Sequence, residues 1–113
     1  MVTYPAIVGA VLRNAREERG QSQAAMASAL GMSQANWSKI ETGKSALTTS
    51  QLAKVAQVLN ILPGDIVKTA DDATNEARLK GFSVTYDEPI DSTLKILGAV
   101  AVLGLIAVAI SKK

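Results

Sequence analysis

The chain has 113 residues, no Cys and no His. Disulfides, thiol and imidazole chemistry and the usual zinc ligands are therefore excluded, and the length allows one small domain with attachments. The net charge of +2 conceals a division: residues 1–68 carry seven Lys/Arg against four acids, residues 69–92 two against six, and residues 93–113 three Lys and no acid.

The front part is thus basic enough to approach phosphates, and the middle is acidic. Met1–Pro5 has no basic region and charged residues soon follow, so it does not read as a signal peptide. Pro5 suits the first turn of a helix reaching about Arg19. Its apolar positions Ile7, Val8, Val11, Leu12 and Ala15 form one stripe, and Gly20 supplies a stop.

Ser22 can cap a second helix, Gln23 to Leu30, with Met26, Ala27 and Leu30 on one face. Gly31 breaks it, because a positive φ there is cheap only for glycine. Ser33 can cap a third helix from Gln34 to about Glu41, with Trp37 and Ile40 inward and Gly43 at its end. Thr48 and Gln51 make a capping box for a fourth helix to Leu59, with Leu52, Val55, Ala56 and Leu59 inward. Pro63 can start a fifth helix carrying Ile66 and Val67; its end falls anywhere between Ala70 and Lys80. These elements predict a small all-α domain over residues 1–69.

Residues 70–92 read as an acidic linker. Phe82, Val84 and Tyr86 alternate, so residues 81–86 could form a short strand. With no partner strand evident in the sequence, pairing would fall to another copy of the chain.

Ile96–Ile110 contains no charged or polar side chain. At about 1.5 Å per residue, residues 93–111 would span about 28 Å as a helix, close to the ~30 Å of a bilayer core. Lys95 would snorkel to one interface. A helix that is apolar all round needs enclosure on every side, and the small domain cannot provide it. The segment is therefore expected to cross a membrane once, with the N-terminus in the cytosol and Ser111–Lys113 beyond the bilayer. Gly98, Ala99 and Ala101 could allow close contact between such helices.

The second and third helices, joined by Gly31, have the form of a helix-turn-helix. In that motif the first helix braces on the DNA backbone and the second lies in the major groove. With Trp37 and Ile40 inward, the third helix presents Gln34, Ala35, Ser38 and Lys39. Gln pairs bidentately with adenine, Lys reaches guanine and the Ala methyl touches thymine. Gln23 opens the second helix, where its amide and free backbone N–H groups suit a phosphate. Ser33, Asn36, Ser38, Lys44 and Ser45 complete the candidate backbone contacts. Each also has a bland reading as an exposed helix or loop residue, and Trp37 reads as core. Gly43-Lys44-Ser45 is no phosphate-binding loop, because Ser38 stands where the earlier glycine is needed. Asp71-Asp72 lacks the spacing of a calcium loop. No catalytic set can be assembled, so an enzyme is not expected, nor is a cofactor.

Several of these residues occur in a familiar order: Gly9-x-x-Leu12-Arg13-x-x-Arg16, Gly20-Gln21-Ser22-Gln23, Met26-Ala27, Leu30-Gly31-Met32-Ser33 and Ser38-Lys39-Ile40-Glu41-x-Gly43-Lys44. Leu52, Val55-Ala56 and Leu59 complete it. Over about residues 6–68 the sequence resembles the Cro and phage-repressor type of helix-turn-helix domain, the XRE-like family. The resemblance implies a five-helix, lambda-repressor-like fold. It implies phosphate contact by Gln23, base contacts by Gln34, Ala35 and Lys39, and an ion pair between Arg16 and Glu41. It also implies a homodimer or higher homo-oligomer on double-stranded DNA. Trp37 departs from the smaller aliphatic residue usual at its position, and the terminal apolar stretch departs from the family's soluble members.

The combined expectation is a transcriptional regulator at the cytoplasmic face of a bacterial inner membrane. The alternative is a membrane-tethered scaffold whose domain grips protein, as in the cell-shape protein RodZ, or a phage structural membrane protein holding DNA non-specifically.

Overall fold

The computed structural model describes residues 2–86. In chain order they form β1 (Val2–Thr3), α1 (Tyr4–Glu18), α2 (Gln23–Leu30), α3 (Gln34–Glu41), α4 (Thr49–Leu59), α5 (Pro63–Leu79) and β2 (Val84–Thr85). The expected membrane segment 93–111, and the part of the expected linker from 87 onward, lie outside the described residues. Among the described residues no helix is long and apolar enough to cross a membrane.

The helices begin where local chemistry supplies a partner for an otherwise unsatisfied backbone N–H. The Thr3 hydroxyl accepts from Ala6 N, Ser22 from Ala25 N and Ser33 from Asn36 N. Thr48 and Gln51 form a reciprocal box: Gln51 N donates to Thr48 Oγ1 at 3.1 Å, and Thr48 N donates to Gln51 Oε1 at 2.9 Å.

α1 runs through the middle of the fold and packs on both α3 and α5. Its stripe of Ile7, Val11 and Leu12 is buried with Met26, Trp37, Val55, Leu59 and Ile66 in one apolar core. Removing this surface from water supplies most of the driving force for assembly, at roughly 25 cal/mol per Å². Gly9 permits the closest approach in this packing. A Cβ at that position would collide with the carbonyl oxygens of Ile40 and Glu41, so α1 lies directly against the end of α3. At the other end of α1, Arg19 Nε donates to the Leu59 carbonyl at 2.8 Å, tying α1 to α4.

Two expectations are corrected. Residues 70–79 belong to α5, the longer extent that the sequence allowed for this helix, so the linker expected over 70–92 does not begin at residue 70. The buried stripe of this half of the helix is Thr69, Ala70, Ala73, Thr74 and Ala77. Small and hydroxylated residues of this kind carry no strong apolar signal, and the acidic positions that suggested a linker occupy the outer face. Lys68 and Asp72 pair there at 3.0 Å, and the buried Thr74 hydroxyl donates to the Ala70 carbonyl.

The second correction concerns pairing. β2 finds its partner within the chain, in parallel with β1, with Val2 opposite Val84 and Thr3 opposite Thr85. The full length of α5 returns the chain to its own N-terminus, and Val2 is buried there. Tyr4 and Tyr86 flank the small sheet with ring centroids 5.1 Å apart.

Candidate nucleic-acid interface

α2 and α3 meet through a turn that local sequence dictates. Gly31 adopts φ +69°, and its N–H and that of Met32 return to the Ser28 and Ala27 carbonyls. A residue with a Cβ would be strained in that backbone conformation. Ser33 then starts α3 two residues later.

The inner face of α3 carries Trp37, Ile40 and Glu41, all buried. Its outer face exposes Gln34, Ala35, Asn36 and Lys39. Lys44 is exposed just beyond it, while Ser38 and Ser45 are half-buried. The Lys39 carbonyl accepts from the backbone N–H groups of both Lys44 and Ser45, which folds the loop back on the helix end. Seven of the candidate contacts, Gln34, Ala35, Asn36, Ser38, Lys39, Lys44 and Ser45, therefore lie on α3 or in the loop after it. The Ser33 hydroxyl is occupied as a cap acceptor and retains its own O–H.

The tilt of this helix is held by one buried node. Arg16 Nε lies 2.6 Å from Glu41 Oε2, and Arg16 Nη2 donates to Glu41 Oε1 at 3.1 Å. This bidentate, charge-assisted geometry links α1 to the end of α3. Arg16 Nη1 also donates to the Gln21 carbonyl at 2.7 Å, just before α2. Hydrogen bonding to Glu41 raises the Arg16 pKa above its ordinary value, against the opposing effect of burial.

Two further donors converge on the same carboxylate. Gln23 Nε2 reaches Glu41 Oε1 at 2.9 Å, and Trp37 Nε1 donates to Glu41 Oε2. Gln23 is thus turned toward Glu41, with one amide N–H of its side chain left over. The phosphate role implied for Gln23 is limited to that remaining N–H and to the backbone at the start of α2. Trp37 is more than filler: it is fully buried, and its indole holds the residue four positions on. Sequence reasoning missed this bond. Its signal was the i, i+4 spacing of a buried donor and a buried carboxylate on one helix face.

A family model for a helix-turn-helix domain matches residues 7–67. The chain belongs to that helix-turn-helix family. No curated protein matches it. Among solved structures, it is similar to the clp gene regulator ClgR from Corynebacterium glutamicum, with a TM-score of 0.66. The two are 23% identical, over 68% of this chain and 82% of that one. At that identity the likeness establishes a shared fold.

Proposed function

We propose that this helix-turn-helix protein is a sequence-specific DNA-binding transcriptional regulator of the XRE-like type. It reads the major groove with α3 and is anchored at the cytoplasmic face of the inner membrane by residues 93–111. The observation that carries the DNA reading is the division of α3 into two faces. One face is locked to α1 and α2 through Glu41, while the other leaves Gln34, Ala35 and Lys39 exposed and clear of the fold. A rigidly oriented helix with a free polar face is what groove reading requires.

Gln34 and Lys39 supply hydrogen bonds to base edges and Ala35 a methyl contact. Asn36, Ser38, Lys44, Ser45 and Ser33 hold the backbone. Dimerisation would place two such helices about one DNA turn apart. The regulator role named for ClgR supports this reading. The membrane reading is supported by the composition of residues 94–110.

Selection from a random DNA pool tests the proposal. A defined site should emerge, and binding should weaken steeply as salt rises. Gln34→Ala should cost about 1–3 kcal/mol at one base pair and relax selectivity there. Lys39→Ala should do the same at another. Binding that selects no sequence, or that ignores salt, refutes the assignment. Recovery of the full chain in the soluble fraction after cell lysis would refute the membrane anchor separately.

A further inference from the structure

We infer that the turn closing α5, with Leu79 and Phe82 at its tip, rests on the lipid surface and fixes how the domain stands on the membrane. This rests on the membrane anchor proposed above. The turn is built rigidly. The Gly81 N–H donates to the Arg78 carbonyl and the Phe82 N–H to the Ala77 carbonyl, a pattern that ends a helix with defined geometry. It holds two large apolar side chains in solvent: Leu79 is 82% exposed and Phe82 38%. They alternate with the cations Arg78 and Lys80, which are also exposed. Apolar side chains at the tip with flanking cations are the composition that favours the boundary between headgroups and acyl chains.

Chain length keeps the same surface within reach of the lipid. Tyr86 directly follows β2 and is the last described residue, and the apolar run begins at Leu94. Even fully extended at about 3.3–3.6 Å per residue, that interval reaches no more than roughly 29 Å. The described body measures 37 × 32 × 23 Å. A tether of that reach is too short to pass around the body, so the side from which the chain leaves cannot turn fully away from the lipid. That side carries the turn, because the Arg78 guanidinium lies 5.6 Å from the Tyr86 ring centroid. A lipid surface is thus the occupant that both the composition of the tip and the length of the tether select.

The absence of cysteine makes the test direct. Full-length chain carrying Ser83→Cys, labelled with an environment-sensitive fluorophore, is reconstituted into vesicles of phosphatidylethanolamine and phosphatidylglycerol. Ser28→Cys, exposed on α2, serves as the reference site. The label at 83 should be quenched by brominated lipid and shielded from aqueous iodide, whereas the label at 28 should show the reverse. Adding Leu79→Ser and Phe82→Ser should abolish the lipid quenching at 83, with the protein still in the vesicle fraction and its thermal melt unchanged. A label at 83 open to iodide overturns the inference and leaves the anchor standing. A label shielded from both quenchers also overturns it, because protein then covers the turn. Failure of the chain to float with vesicles overturns the anchor and this inference together.

Discussion

Glu41→Gln is the most informative perturbation of this fold. The carboxylate is 1% exposed and the Arg16 side chain 10% exposed, so water offers little compensation when the charge is removed. The variant leaves a buried guanidinium without its counter-charge, and the new amide presents N–H groups to donors from Arg16, Trp37 or Gln23. Breaking a buried pair by removing one partner costs about 3–5 kcal/mol. For a domain of this size each kcal/mol lowers Tm by roughly 4–8 °C, so the lower bound predicts a fall of about 12 °C or more. Thermal unfolding followed by circular dichroism measures it. Replacing both members, Arg16→Met with Glu41→Leu, removes the uncompensated charge and should recover much of the loss, because an apolar pair avoids the desolvation cost. A Glu41→Gln variant that melts within about 2 °C of the parent, well below the shift expected for one kcal/mol, would refute the reasoning.

Further outcomes are expected elsewhere in the same framework. Trp37→Phe keeps a ring in the core but deletes a hydrogen bond to a charged acceptor, and should cost about 1.5–3 kcal/mol in denaturant unfolding plus any cavity cost. Gly9→Ala should destabilise by about 1–3 kcal/mol, since the added methyl meets backbone carbonyls that cannot move without separating α1 from α3. Burial, followed by the hydrogen bond donated to Asp71, pushes the Tyr4 phenol well above its ordinary value of 10.0. The folded chain then keeps a proton that the unfolded chain loses, so stability should be intact below pH 10 and decline as pH rises above it. Tyr4→Phe should flatten that decline relative to the parent; identical slopes for the two proteins would count against the assignment.

Much of the fold was legible because its signals are local. Ser22, Ser33 and the Thr48–Gln51 pair mark helix starts through their own side chains. Gly31 marks the turn through its backbone freedom, and the stripe of α1 shows which face is inward. The reach of α5 was legible only as an end somewhere between Ala70 and Lys80. Its inner face beyond Thr69 is alanine and threonine, and such residues become core only because α1 lies against them.

The sequence by itself determined where the first four helices begin and end, and which side chains α3 turns outward. These follow from caps, glycine and 3.6-residue spacing, all acting within a few positions of each other. Tertiary structure alone decided the rest. It brought Val2 to Val84 across more than eighty residues, and it gathered Arg16, Gln23 and Trp37 around Glu41. Gln23 was thereby drawn inward toward a carboxylate, because a buried charge recruits every donor within reach. That convergence depends on the angle between helices, which no local pattern encodes.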